Sequence, residues 1–195
     1  MEARPAPAVS SSHADLRFSE LRFGSAWMLR GDPRQSSFLE TARDCLGLPL
    51  PLQSNTSVRA ANNCCLWLGP RAWLWLADEP SSTVDTTRRR VGGAGGALFE
   101  LSSSYVGWLT RGPAIAKVLN RLCPMDLHPS AFPAGACAQT LLGHIGGCLF
   151  RTSADAFVVL VARSFARDAC HELCGSAAAQ GYAIDPPVRL ADALA

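Results

Sequence analysis

Apolar and polar positions alternate along residues 16–23, with Leu16, Phe18 and Leu21 set against Arg17, Glu20 and Arg22, which predicts a half-buried strand. Residues 26–29 are apolar and predict a second short strand. A helical spacing follows in Phe38, Leu39, Ala42 and Leu46. Its punctuation is complete on paper. Asp32 suits the N-cap, Pro33 the first helical position and Gln35 the reciprocal capping bond, while Gly47 suits the left-handed C-terminal position. Pro49 and Pro51 forbid continuation. Residues 63–68 and 72–77 read as two strands joined by Gly69-Pro70-Arg71. Residues 80–90 predict a short helix, a poor one because of Thr83, Val84, Thr86 and Thr87. Gly92-Gly93-Ala94-Gly95-Gly96 reads as a flexible loop.

In the second half, residues 97–104 predict a strand. Gly112-Pro113 opens a helix to about Leu122, with Ile115, Val118, Leu119 and Leu122 on one face. That helix stops at Cys123-Pro124, and a turn segment with Asp126, His128, Pro129 and Pro133 follows. Residues 137–150 predict one long or two short strands interrupted at Gly146-Gly147. Residues 156–162 form a continuous apolar run of strand type. Ser164 caps a last helix to about Ala179 that carries Phe165, Ala169 and Leu173 on one face, and Gly181 ends it. Asp185-Pro186-Pro187 is irregular or edge-like. Strands and helices mix without a regular βαβ rhythm, so the fold class is α+β, with antiparallel or mixed sheets and packed helices. The expected organisation is a disordered tail at 1–15, an N-terminal lobe at 16–91 and a C-terminal lobe at 97–195, or one continuous domain at 16–195.

Composition narrows the function. Hydrophobic residues make up 48% of the 195 and charged ones only 17%, which argues against disorder and for a surface partly covered by a partner. A net charge of +2 gives no footprint for nucleic acid, and Arg88-Arg89-Arg90 reads as a solvated helix end. Residues 1–13 lack the apolar core of a secretory signal. The apolar stretch 64–77 is broken by Gly69-Pro70-Arg71, short of the roughly 20 residues that span a bilayer. The expected location is cytoplasmic. The eight cysteines show no zinc-type Cys-x-x-Cys spacing and read as small, reduced core residues. Cys170 and Cys174, with His171, share a helix face, but two thiols do not make a four-ligand metal site.

Candidate chemistry is sparse. The glycine-rich loop does not fit a dinucleotide-binding fingerprint, because position 98 is Leu. No nucleophile elbow or P-loop is present. Asp126 and His128, two apart in a proline-bounded turn, read either as a base with its orienter or as a turn whose carboxylate accepts backbone N–H groups. His144 reads as a core or interface residue. Arg163 stands between a strand and a helix, suited to an anion or to a partner subunit. Trp67, Trp73 and Trp75 lie together in sequence. Trp73 and Trp75 face one side of a strand, either as an aromatic platform or as a packed core face.

Three blocks carry a family resemblance. Leu66-Trp67-Leu68-Gly69-Pro70-Arg71-Ala72-Trp73-Leu74 resembles an L-x-L-G-P-x-x-W-L segment of the sarcosine oxidase gamma subunit family. Cys123-Pro124-Met125-Asp126-Leu127-His128-Pro129, continuing through Phe132-Pro133, Gly135 and Ala138-Gln139-Thr140-Leu141, is similar to that family's most distinctive block. Ala156-Phe157 through Arg163-Ser164-Phe165-Ala166 resembles its third. The blocks occur in the family's order, and with the helices between them they cover residues 23–173. Leu101-Ser102-Ser103-Ser104 stands where the family often has an acidic-Ser/Thr pair, and the last helix lacks the family's frequent tryptophan.

The resemblance implies a fold similar to the folate-binding domains of aminomethyltransferase, the glycine-cleavage T-protein. It also implies a place beside α, β and δ subunits in a heterotetrameric flavoenzyme. That enzyme demethylates sarcosine to glycine with oxygen, giving H2O2 and either formaldehyde or 5,10-methylenetetrahydrofolate. FAD, FMN, NAD, tetrahydrofolate and zinc are then expected on other subunits. This chain is expected to be structural, with no catalytic, cofactor-binding or metal residues, and with Asp126, His128, Arg163, Trp67 and Trp73 as turn or interface residues. The alternatives are a stand-alone folate-binding protein and, more weakly, a thiol or metal enzyme built on Cys170, His171 and Cys174.

Overall fold

Two sheets organise the chain in the computed structural model, which describes residues 15–195. In chain order the first elements are β1 (Leu16–Arg22), β2 (Ser25–Arg30), α1 (Ser36–Leu46), β3 (Ser57–Arg59), β4 (Asn63–Gly69) and β5 (Ala72–Ala77). Next come α2 (Val84–Gly93), β6 (Ala97–Glu100), β7 (Tyr105–Arg111), α3 (Ile115–Leu119), β8 (Cys137–Leu142) and β9 (Ile145–Ser153). β10 (Ala156–Ala162), a 3-10 turn (Arg163–Phe165), α4 (Ala166–Ala177), β11 (Tyr182–Arg189) and α5 (Leu190–Leu194) follow. The expected α+β class holds. The tail expected at 1–15 lies, but for Asp15, outside the described residues.

One unit joins residues 15–21 to Tyr105–Val188. Its six-stranded sheet has the order β11-β1-β7-β10-β9-β8. β7 pairs antiparallel with β1 and β10, and β9 antiparallel with β10 and β8. Leu16, Phe18, Val118, Leu119, Phe157 and Leu173 belong to its buried core, with α3 and α4 packed together. β7 is a central strand that the pattern above did not predict; the strand expected at 97–104 is instead β6 followed by a turn. Gly107 in its middle lowers strand propensity but fits a close passage, since a Cβ there would meet the Leu21 and Leu160 side chains at 3.1 Å and push them aside by a few tenths of an ångström. The expected break at Gly146-Gly147 falls instead at the hairpin turn before Ile145, where Gly143 takes a positive φ of 61°.

Helix ends in this unit also move. α3 is one turn and a half rather than a helix to Leu122. Ser164 does not cap α4: residues 163–165 form the 3-10 turn, and Phe165 is exposed rather than on the buried face of Ala169 and Leu173. Asp185-Pro186-Pro187 lies inside β11, an edge strand, the place in a sheet where proline is tolerated.

The other unit comprises Arg22–Ser104 and Arg189–Ala195. Its five-stranded sheet has the order β3-β4-β5-β2-β6, antiparallel throughout. Trp27, Leu29, Phe38, Ala42, Trp73 and Val91 belong to its core. Fully burying side chains of this kind contributes about 1.5–3 kcal/mol each. α1 begins at Ser36, four residues after the expected cap. Asp32 does not cap it, because its carboxylate instead accepts from the backbone and guanidinium of Arg34. The other end obeys its signal: Gly47 has φ 73° and donates its N–H to Arg43.

The glycine loop is not a free linker. α2 runs through Gly93, and a Cβ at Gly96 would lie 2.5 Å from the Phe38 ring; Gly31 meets the same ring at 2.4 Å. Glycine is used here for close approach, and the segment lies within this unit between α2 and β6. The pattern also missed α5. Its Arg189 pairs with Asp78 and Glu79, and Asp78, a carboxylate on β5's extension, is buried.

Candidate functional site: a turn segment organised by Arg151

The connection from α3 to β8 runs from residue 120 to 136 and contains the motif block that stood out in the sequence. Four apolar residues pin it to the core beneath: Cys123, Leu127, Phe132 and Ala136 are all buried. Burial pushes the Cys123 thiol up, so it stays a neutral apolar filler. Between the pins the backbone turns on local bonds. The Asp126 carboxylate accepts the His128 N–H at 2.8 Å, and the Asn120 side-chain oxygen accepts the Leu127 N–H at 3.2 Å. The His128 carbonyl accepts from Ala131 and Phe132 at 2.9 and 2.8 Å.

The centre of the segment is a residue that the sequence reading passed over. Arg151 sits on β9, only 2% exposed. Strand alternation puts it on the same face as Leu149 and opposite Phe157, facing the core. Its Nη1 donates to the carbonyls of Leu127 at 3.1 Å and Phe132 at 2.7 Å. Its Nε donates to Ser153 at 3.0 Å, and its Nη2 to Ala154. The guanidinium carbon lies 4.9 Å from the centre of the Phe157 ring, and that ring stacks with Phe132 at 6.3 Å. The backbone of Arg151 also bonds the segment, donating to Ala136 at 2.9 Å and accepting from Gly135 at 2.8 Å.

A planar fork of five N–H donors suits carbonyls arrayed around it, which a lysine's point charge would not. A β-bulge after this residue, where Thr152 is the extra residue opposite Ala156 and Phe157, ends the regular ladder and frees the Ser153 and Ala154 carbonyls to turn back. The signal was in the sequence: an arginine at a core-facing position of an apolar strand demands buried acceptors.

The expected site residues are placed as follows. Asp126 and His128 do not form an acid–base pair, since the carboxylate is bonded to the His128 backbone and not to its ring. The ring Nδ1 lies 2.7 Å from the Ser130 hydroxyl and accepts the Ser130 N–H at 3.3 Å. A backbone donor fixes Nδ1 as acceptor, so the neutral ring carries its proton on Nε2. Arg163, exposed, donates to the Tyr105 carbonyl at 3.2 Å. Trp73 is fully buried; it donates Nε1–H to the Pro51 carbonyl at 2.7 Å and tilts against Phe38 at 5.8 Å. Trp67 lies opposite Trp73 on β4 and is half-buried. Trp75 packs on Trp27 with ring centres 4.6 Å apart, so the aromatic run is a core face and not an open platform.

His144 is exposed in the β8–β9 turn, 3.8 Å from Glu172, rather than in a core. Cys170 and Cys174 do come together on α4. The hydrogen bond to Cys174 and then burial hold the Cys170 thiol up, and burial followed by the Cys174 hydrogen bond pushes Tyr182 up to about 12. Among the described residues, no group of three or more His, Cys, Asp or Glu is placed to hold a metal ion. None of their helices is long and apolar enough to cross a membrane.

A model of the sarcosine oxidase, gamma subunit family matches residues 30–179, a span that contains the whole Arg151-organised segment. The chain belongs to the sarcosine oxidase gamma subunit family. Curated members include a sarcosine oxidase subunit gamma from Corynebacterium sp. (strain U-96), 32% identical over 172 residues, covering 88% of this chain and 83% of that one. Another, from Arthrobacter sp, is 31% identical over 169 residues, covering 86% and 83%. Among solved structures, the heterotetrameric sarcosine oxidase from Corynebacterium sp. U-96, in complex with pyrrole 2-carboxylate, superposes with a TM-score of 0.80 at 28% identity, covering 89% of this chain and 88% of that one. The aminomethyltransferase T of the glycine cleavage system from Bartonella henselae shares the fold, with a TM-score of 0.56 at 14% identity over 91% of this chain and 49% of that one. The gamma subunit role and the aminomethyltransferase-like fold read from the three sequence blocks are therefore both found.

Proposed function

We propose that this chain is the assembly subunit of a heterotetrameric sarcosine oxidase and does no chemistry itself. In that complex it docks with α, β and δ subunits in the cytoplasm. The complex demethylates sarcosine to glycine with O2, releasing H2O2 and either formaldehyde or 5,10-methylenetetrahydrofolate. FAD, FMN, NAD, tetrahydrofolate and zinc belong to the other subunits. The observation that carries this reading is the likeness to a heterotetramer chain over nearly the whole length of both. The placement of the polar residues supports it. Asp126 is bonded to a backbone N–H, Arg151 to four carbonyls and Trp73 to Pro51, so each spends its polar group on the fold.

The test is co-expression of the tagged chain with its neighbouring subunits, followed by a pull-down and an absorbance spectrum. Three co-purifying subunits and a flavin band near about 450 nm, the region where oxidised flavins absorb, are expected. A colourless chain that purifies alone and binds tetrahydrofolate overturns the reading in favour of a stand-alone folate binder.

A further inference from the structure

Eight free cysteines are spread through the chain, and two of them meet on α4. Cys170 and Cys174 are one helical turn apart, so their side chains lie one above the other on the same face. A hydrogen bond joins the two sulfurs. Tyr182, the first residue of β11, closes the other side. Its hydroxyl donates to the Cys174 sulfur, and its ring stacks on Phe18 with centres 5.6 Å apart. The buried face of α4 otherwise carries Ala169, Leu173 and Ala177, which bring no polar atom. The two thiols add polarisable sulfur and an ionisable proton to that face, which packing by itself does not call for.

The pair is both activated and open. The hydrogen bond from Cys170 brings the Cys174 thiol down to about 7; burial opposes it, and the Tyr182 hydroxyl adds to it. Cys174 is buried, whereas Cys170 is only partly so, and the sulfurs are reached from the Cys170 side. The number of ligands then selects the cation. Structural zinc sites are almost always tetrahedral, with four ligands. Among the described residues no third His, Cys, Asp or Glu joins this pair, and His171 lies about 100° further round the helix from Cys170. Thiolates favour soft cations, and a cuprous ion is satisfied by two of them in line.

We propose that Cys170 and Cys174 form a two-coordinate site for a soft monovalent cation of the cuprous type, with the Tyr182 hydroxyl bonded to the Cys174 sulfur. Loading exchanges protons for metal. One Cu(I) and two thiols give a dithiolate complex of net charge −1, two protons pass to solvent, and no atom changes oxidation state. The site stands independently of the subunit reading, since all three side chains belong to this chain.

The test uses the co-expressed complex, or the full chain if it purifies alone, reduced and free of oxygen. Copper(I) is supplied from a coloured chelator that competes for it, and uptake is read from the loss of chelate colour. The wild type should take up one equivalent more than Cys170→Ser. Cys45→Ser, at the other partly buried cysteine, should match the wild type. Zinc(II) offered in the same way should show no difference between the wild type and Cys170→Ser. A second measurement needs no variant: copper(I) should block alkylation of Cys170 by iodoacetamide and leave that of Cys45 unchanged. If Cys170→Ser fails to fold or assemble, the alkylation result decides. Equal copper uptake by the wild type and Cys170→Ser overturns the proposal, as does alkylation of Cys170 that copper leaves unchanged. A zinc equivalent lost in Cys170→Ser overturns it too, because holding zinc takes ligands that a two-coordinate site lacks.

Discussion

Two loops of this chain are anchored by a buried side chain that donates to backbone carbonyls, and they do it differently. Trp73 holds the proline-rich stretch after α1 through one indole bond to Pro51, inside an apolar core with Phe38 against its ring. Arg151 holds the turn segment before β8 through the carbonyls of Leu127 and Phe132, bonds those of Ser153 and Ala154 at the end of its own strand, and has Phe157 beneath it. The tryptophan contributes mostly by its area, and its hydrogen bond satisfies one acceptor. The arginine contributes mostly by its donors, and its stem fills space. An apolar anchor tolerates loss of its polar atom, whereas a charged anchor has no function without its geometry.

The largest effect should come from removing the apolar anchor. Trp73→Ala is expected to destabilise the chain by about 3–5 kcal/mol, the range for large core truncations, measured by urea unfolding. Next is the geometry of the charged anchor. Arg151→Lys keeps the charge but cannot reach four carbonyls with one ammonium, and should cost about 2–3 kcal/mol through acceptors left unpaired in the interior. Trp73→Phe removes only the indole donor and most of one ring, so about 1–2 kcal/mol is expected. A loss from Trp73→Phe as large as that from Arg151→Lys would erase the distinction between the two anchors.

The smallest effect concerns an exposed turn that resembles the Asp126 turn but lies in the other unit. The Arg34 side chain, and then its backbone N–H, hold the Asp32 carboxyl down to about 2 from an ordinary 3.8. A depressed value in the folded state means that the carboxylate stabilises the fold above pH 3.8 and that this share is lost as the pH falls toward 2. Asp32→Asn should therefore be less stable than the wild type near neutral pH, and the difference should shrink as the pH falls from 3.8 toward 2, so that acid titration of unfolding is shallower for the variant in that window. Equal curves at all pH values would show that the turn contributes nothing.

Much of this architecture was legible as pattern. β10 is the continuous apolar run at 156–162, and β4 and β5 are the two strands flanking Gly69-Pro70-Arg71. The C-terminal glycine of α1 took the left-handed conformation its position predicts. These depend on hydrophobic period and on turn chemistry, both local properties. The site is half legible: its residues stand out as an unusual block, and a proline-bounded turn admits the Asx-type use of Asp126. The organiser, Arg151, was not found, because its partners lie 19 and 24 residues away and only the folded chain brings those carbonyls to it.

Sequence by itself determined the α+β class, most strand positions, the family and the turn block, because spacing, glycine and proline constraints and motif order are written along the chain. Tertiary structure decided what no local window contains. It placed β7 in the middle of a sheet despite Gly107, whose missing side chain leaves Leu21 and Leu160 close on either side. It turned the glycine run from a flexible linker into a close passage over Phe38. It separated Asp126 from the His128 ring, and it gave a charged arginine a buried place by surrounding it with acceptors. In each case the deciding quantity was a contact between residues far apart in sequence, whose energy exists only after the chain has closed on itself.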